Sequence, residues 1–176
     1  GAAVTTATLN PLIGGLAGDA ITTGGANTAV GYSALTTSTT GSNNTAIGRE
    51  SLLVTTTGSN NVGVGSYAMY DNTTGGSNVA IGESALSNNT TASNNTAVGK
   101  SALLANTTGA NNVAIGYAAL DSNTTASSNN AIGYNALGSN TTGQYNTALG
   151  HASLQANTTA DGNVGIGTFA LWSNTT

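Results

Sequence analysis

A glycine recurs every 17 residues along this chain, and that spacing constrains the fold more than any other feature. It occurs at Gly14, Gly31, Gly48, Gly65, Gly82, Gly99, Gly116, Gly133, Gly150 and Gly167, with no insertion or deletion between them. The repeat around it reads N-[T/V]-A-[I/V]-G-x-x-A-L-x-x-N-T-T-G-x-x, and we count its positions from the first Asn. A fixed short period of this kind is typical of solenoids, in which each repeat packs only on its neighbours.

The repeat divides the chain into two parts. Residues 1–26 form an apolar N-terminal segment that ends in a degenerate first coil, and residues 27–176 are regular repeats. In the degenerate coil, Pro11 replaces Thr or Val and Gly18 replaces Leu. Proline is tolerated at the start of a strand or at a sheet edge, so we expect the first coil to keep the register. No linker or domain boundary is indicated.

Each repeat has the pattern of a short strand followed by turns. The second and fourth positions alternate with a small residue, as in Val79, Ala80 and Ile81, which favours a strand. The Asn-Thr-Thr-Gly segment predicts a second short β stretch. Gly, Asn and Thr are poor helix formers, and no 3.6-residue period occurs. We therefore predict an all-β protein, a parallel β-solenoid (β-roll) of about ten 17-residue coils stacked at ~4.8 Å.

The large apolar residues recur at the fourth and ninth positions of the repeat, and both are predicted to point inward. The predicted core ladder comprises Ile47, Ile81, Val98, Ile115 and Ile132 at the fourth position, and Leu86, Leu103 and Leu120 at the ninth. Burial of these side chains against the neighbouring coils is what would stabilise the stack, since one coil alone buries too little.

Composition excludes several classes of function. The net charge is −4, and Arg49 and Lys100 are the only basic residues, so no electrostatic footprint for nucleic acid is present. No apolar run is long enough to insert into a membrane. The chain has one histidine, His151, no cysteine, and six carboxylates scattered over different coils. A catalytic constellation or a metal site cannot be assembled from this inventory, so we predict no enzyme, no metal and no cofactor.

The Asn-Thr-Thr triplets have three interpretations. Sequons begin at Asn43, Asn72, Asn88, Asn89, Asn94, Asn106, Asn123, Asn140, Asn157 and Asn174, and in a secretory chain they would accept N-linked glycans. Because the triplet is in register with the core, its side chains could instead stack as hydrogen-bonded ladders. A flat Thr face could also bind ice, although adjacent threonines place only one Thr column outward.

Two further groups of residues are candidates for contacts with partners. Tyr32, Tyr117, Tyr134 and His151 share the variable sixth position, where they form a possible recognition surface or are simply unconstrained exposed residues. Pro11, Leu12, Leu16 and Trp172 lie in the first and last coils, where an uncovered sheet edge invites addition of another strand. They are possible subunit contacts in a homopolymer.

The motif N-T-A-[I/V]-G-x-x-A-L-x-x-N-T-T-G resembles repeats of bacteriophage tail-fibre proteins and related bacterial surface proteins over residues 10–176. It is more distantly similar to the head repeats of YadA-like autotransporter adhesins, whose shorter S-x-A-[I/V]-G coils form a left-handed β-roll. The resemblance implies an extracellular location, in a cell-surface filament or a virion fibre. We expect a structural fibre protein that self-associates end to end. The alternatives are a fibre or adhesin that binds a receptor or glycan, and an ice- or surface-binding solenoid.

Overall fold

A computed structural model describes residues 8–175 of the chain. Within that range it contains no helix and ten short strands, one per coil, in a single parallel sheet ordered as in the sequence. The strands are β1 (Leu12–Ile13), β2 (Thr28–Val30), β3 (Thr45–Ile47), β4 (Val62–Val64), β5 (Val79–Ile81), β6 (Thr96–Val98), β7 (Val113–Ile115), β8 (Asn130–Ile132), β9 (Thr147–Leu149) and β10 (Val164–Ile166).

Each strand pairs with the strand exactly one repeat away. Ile81 lies opposite Val98, and Val98 lies opposite Ile115. The degenerate coil keeps this register, since Leu12 pairs with Ala29 and Pro11 immediately precedes β1. The predicted fold, an all-β parallel solenoid with 17 residues per coil, is confirmed. Of the segment 1–26, residues 1–7 lie outside the described part of the chain, as does Thr176.

The core is narrower than predicted, and half of the predicted ladder is wrong. Leu86, Leu103 and Leu120 at the ninth position are fully buried, as expected. The fourth-position side chains lie instead on the outer face of the sheet: Ile47, Ile81, Ile115 and Ile132 are 38–41% exposed, and Val98 is half-buried. The alternation of the strand is the reason, because the third residue, almost always Ala, points inward and its two neighbours must point outward.

The recurring glycine is required by its conformation and by its surroundings. At Gly99 φ is +130°, and a Cβ added there would lie 2.7 Å from the carbonyl carbon of Gly116 in the next coil. Glycine alone adopts such a φ without strain and allows so close an approach of two backbones. The sharp bend after each strand therefore depends on this residue.

Each coil also turns at residues in the left-handed helical region, and most of these are not glycine. The seventh, ninth and seventeenth positions adopt it, for example Ser101 at φ 59°, Leu103 at φ 53° and Asn111 at φ 60°. Asn tolerates this region, whereas a leucine rarely enters it. The conformation lets three tight turns close a 17-residue coil.

The Asn-Thr-Thr-Gly segment forms bends and not the second strand that its composition predicts. It nevertheless pairs with the next coil, because the Thr73 N–H donates to the carbonyl of Thr90 at 2.8 Å and the Thr74 N–H donates to the same oxygen at 3.2 Å. In a parallel sheet successive N–H groups do not share one carbonyl in this way, so the contact between coils here is not a β-ladder.

Candidate functional surfaces

Asparagine at the first position of every repeat forms a continuous ladder inside the rod, which we call the first Asn ladder. Its members from Asn27 to Asn146 are fully buried. In a typical coil, the Asn95 side-chain Oδ1 accepts from the N–H of Asn112 in the next coil at 2.9 Å. The Asn95 Nδ2 donates to the carbonyl of Gly109 in its own coil, also at 2.9 Å. Each asparagine thus forms one hydrogen bond within its own coil and one to the backbone of the next coil.

A second Asn ladder runs through the twelfth position from Asn72 to Asn157. Each Nδ2 donates to the Oδ1 of the asparagine one coil before, as from Asn106 to Asn89 at 3.1 Å. The same Asn106 Nδ2 donates to the Gly109 carbonyl at 2.9 Å, which already accepts from the first ladder. The two ladders therefore meet at one buried carbonyl in this coil, which satisfies the buried amide groups that donate to it.

These contacts decide between the interpretations of most of the sequons. Asn72, Asn89, Asn106, Asn123, Asn140 and Asn157 are fully buried and hydrogen-bonded, so their side chains are ladder members and are not accessible to a glycan. The sequon asparagines Asn43, Asn88 and Asn94 are exposed. The triplet itself separates the two kinds, because the exposed sequons read Asn-Asn-Thr and the buried ones read Asn-Thr-Thr.

The two threonines of each triplet have different surroundings. At the thirteenth position the hydroxyl donates to the next coil, as from Thr107 Oγ1 to the Thr124 carbonyl at 3.0 Å. The following residue, Thr108 in this coil, is exposed. One outward Thr column is present, as the adjacent pair of threonines predicts.

The outer face of the parallel sheet is an uncharged, mostly apolar strip of half-buried and exposed side chains, which we call the sheet face. It consists of the second and fourth positions of the repeat in β2 to β10: Thr28, Val30, Thr45, Ile47, Val62, Val64, Val79, Ile81, Thr96, Val98, Val113, Ile115, Asn130, Ile132, Thr147, Leu149, Val164 and Ile166. None of these side chains is charged. Parallel sheets usually have both faces covered, so this open face is unusual.

Three of the four residues predicted for recognition lie together in an aromatic column. The rings of Tyr117 and Tyr134 stack with centroids 5.3 Å apart, and Tyr134 meets His151 edge-on at 5.2 Å. The column continues through Phe169 to Trp172, of which Trp172 was predicted only as a subunit contact. The 17-residue spacing of Tyr117, Tyr134 and His151 predicts their part of the column but not these two residues. Stacking turns the faces of Tyr117 and Tyr134 toward each other, so edges and hydroxyls remain for solvent.

Three charged residues, Arg49, Glu83 and Lys100, share the sixth position of the repeat with Tyr117, Tyr134 and His151. Tyr32 is exposed and lies five repeats before Tyr117, away from the aromatic column. The guanidinium of Arg49 lies 4.5 Å from the centre of the Tyr67 ring. Lys100 and Glu83 form an ion pair at 2.9 Å, and this hydrogen bond raises the pKa of Lys100.

The four predicted subunit contacts have different surroundings. Leu12 turns inward and packs against the core, so it is only partly available. Pro11 and Leu16 are exposed. Trp172 is 52% exposed, and its Nε1 donates to Oε1 of Gln155 at 2.8 Å.

Residues 8–175 offer neither a cluster of metal ligands nor a membrane-spanning helix. Across residues 8–175, no three His, Asp or Glu side chains converge as ligands of a metal ion would. The same range includes no helix of the length and apolarity that crossing a membrane requires.

Comparisons with protein-family models, with curated proteins and with solved structures found no match to the chain. The class of protein is therefore defined by the fold alone: a parallel β-solenoid whose buried polar groups connect successive coils.

Proposed function

We propose that the chain is a structural protein, a rigid rod that forms the shaft of an extracellular fibre, in a cell-surface filament or a virion fibre. The observation that carries the proposal is the use of the buried polar groups. The first Asn ladder repeats the same backbone contact from Asn10 to Asn163, and the second connects the coils from Asn72 to Asn157. Because each coil contacts only its neighbours and repeats the same hydrogen bonds, coils can be added to the rod without new kinds of contact.

End-to-end growth is the second part of the proposal. Leu171 holds the ninth position of the last coil and is 48% exposed, whereas Leu154 in the coil before it is fully buried. A further coil stacked on the last one, from another copy or from a continuation of the chain, would bury Leu171 as Leu154 is buried. Strand edges of this kind add further strands readily.

Negative-stain electron microscopy of the purified chain tests this function. Ten coils at ~4.8 Å make a rod about 48 Å long, and end-to-end growth gives particles of constant width in multiples of that length. Leu171→Glu would shorten the particles, whereas Ser173→Glu, a matched charge in the same coil, would not. Particles of a single length at high concentration would exclude end-to-end growth.

The aromatic column favours a second candidate function, attachment to a receptor or glycan by the same fibre. Tyr117 and Tyr134 are 49% and 55% exposed and adjoin His151. Aromatic edges with hydroxyls are common at recognition surfaces, since they offer apolar area and a hydrogen bond together. A glycan- or cell-binding assay comparing Tyr117→Ala and Tyr134→Ala with Tyr32→Ala, which lies outside the column, tests it. Equal binding by all three variants would exclude the aromatic column as the binding site.

A further inference from the structure

We propose that a second copy of this chain packs on the sheet face, so that two rods lie side by side with their axes aligned. The side chains that carry the inference are those wrongly predicted to be in the core. Ile47, Ile81, Ile115 and Ile132 are 38–41% exposed although they lie in the middle of a regular sheet, because no element within residues 8–175 covers them. The inference goes beyond the proposed function, since a rod could grow end to end without it.

The size of the sheet face fits an interface. Nine strands at ~4.8 Å make a strip about 43 Å long, and side chains two residues apart in a strand lie about 7 Å from one another. With side-chain widths the strip covers on the order of 500 Å², at the upper end of the apolar patches that monomers expose. Two such strips bury roughly 1,000 Å² together, the minimum expected of a biological interface and less than the roughly 1,200–2,000 Å² of a standard one.

The chemistry of the sheet face and its borders fits as well. The strip carries Val, Ile, Leu and Thr with a single amide, Asn130, near one end. One border is the sixth position, with Arg49, Glu83 and Lys100, and the other is the seventeenth, with exposed Asn43 and Asn94 among its members. An uncharged centre with polar margins is the usual arrangement of a protein–protein interface. Natural sheets that stay apart instead place charges on the exposed surface.

Periodicity identifies the partner as another copy. The sheet face repeats once per strand along its whole length, with the fourth-position side chains forming ridges at the strand spacing. A second sheet face has the same spacing and can interdigitate with these ridges at every coil, as packed sheets of identical strands do. A surface without this repeat would match only a few coils. The net charge of −4 does not oppose the contact, because the carboxylates lie off the strip.

Sedimentation equilibrium combined with electron microscopy tests the pairing. We expect particles wider than one rod whatever their length, with a mass of at least two 17.0 kDa chains. The double variant Ile81→Lys/Ile115→Lys places two charges on the sheet face and should give particles of single-rod width. Its control, Thr91→Lys/Thr125→Lys, places the same charges in the same coils on the exposed Thr column and should keep the width and mass of the parent chain. Parent particles of single-rod width, or equal widths for both double variants, overturn the proposal.

Cross-linking provides a readout that does not depend on how well the lysine variants fold. The chain has no cysteine, so Val98→Cys introduces a single thiol on the sheet face near the middle of the rod. Both relative orientations of the two rods bring this residue close to its counterpart. Mild oxidation should give a covalent dimer with Val98→Cys and none with Thr108→Cys, which lies in the same coil on the Thr column. Equal cross-linking of the two variants overturns the pairing.

The two proposals fail in different ways. Loss of the side-by-side contact leaves single-width rods, which are still able to lengthen. Loss of end-to-end growth leaves particles of one length that are still paired.

Discussion

Leu12 occupies the space beside Gly18 in the first coil, where every later coil has the opposite arrangement. A Cβ added to Gly18 would lie 2.7 Å from Cδ2 of Leu12. From the second coil onward the third position is Ala or Gly and the ninth is Leu or Met. The degenerate coil thus exchanges a large and a small residue across the core, and the apolar volume that it supplies is kept.

This exchange predicts a non-additive pair of substitutions. Gly18→Leu alone should overpack the first coil and lower the free energy of unfolding by about 1–3 kcal/mol. Leu12→Ala alone removes a half-buried side chain and should lower it by about 1–2 kcal/mol. The double variant Leu12→Ala/Gly18→Leu removes the overlap with Leu12 but keeps Cδ1 of Ile21, which lies 2.9 Å from the added Cβ, so it should regain part of the loss.

Urea unfolding of the four proteins measures the coupling between the two positions. If the two losses simply add in the double variant, Leu12 and Gly18 do not share one space.

The repeat alone was sufficient to predict the fold, and the ninth-position leucines of the core followed from it. The inward face of the strand could not be predicted with the rule that large residues are buried. Ala80 points inward and Ile81 outward, since a coil of 17 residues leaves room beside Leu86 only for a small side chain. The signal was in the variation between coils: the third position is Ala or Gly from β2 onward, whereas the fourth is Val, Ile or Leu.

Two other features, the left-handed conformation of the ninth-position leucines and the full aromatic column, could not be predicted from residue propensities. Leu103 adopts φ 53°, a conformation that leucine rarely takes, so no propensity predicts a turn there. The aromatic column includes Phe169 because its ring lies 4.9 Å from that of His151 in the preceding coil, and Trp172 because its ring meets that of Phe169 in the same coil, although these residues occupy different positions of the repeat.

The second Asn ladder stops where Thr55 and Ser38 hold the twelfth position, and it can be extended. Their hydroxyls are buried, and no hydrogen-bond partner occurs for them in the described part of the chain. In Thr55→Asn, the new Nδ2 would reach the Gly58 carbonyl, and the new Oδ1 would accept from Asn72, as in later coils. We expect the free energy of unfolding to rise by about 0.5–1.5 kcal/mol per bond gained.

Chemical denaturation of Thr55→Asn beside Thr57→Asn checks this extension. Thr57 is exposed in the same coil, so its substitution introduces the same side chain outside the ladder. A Thr55→Asn chain no more stable than Thr57→Asn would contradict the ladder.

Gly99 should not tolerate a side chain. Gly99→Ala places a Cβ against the Gly116 carbonyl and an alanine at φ +130°. The steric overlap and the strained backbone conformation both destabilise the folded state. We expect a loss of at least about 2–3 kcal/mol, or separation of the rod into two shorter cooperative units. Gly15→Ala is the control, since an added Cβ there makes only ordinary contact with the Tyr32 ring at 3.6 Å. Thermal unfolding followed by circular dichroism compares them, and similar transitions for both variants would show that the bend accepts other residues.

Asp121 makes stability depend on pH in the direction opposite to that of a paired carboxylate. Burial raises the pKa of Asp121, more than its hydrogen bonds with Ser122 lower it. The folded chain therefore binds this proton more tightly than the unfolded chain does, and ionisation above the ordinary carboxyl pKa of about 3.9 destabilises the fold. Asp121→Asn should raise the free energy of unfolding at pH 7, and its advantage should disappear as the pH falls below that ordinary value. Asp71→Asn removes the same charge and corrects for net-charge effects. Urea titrations of both variants across this pH range give the comparison, and an advantage of Asp121→Asn that persists in acid would contradict this assignment.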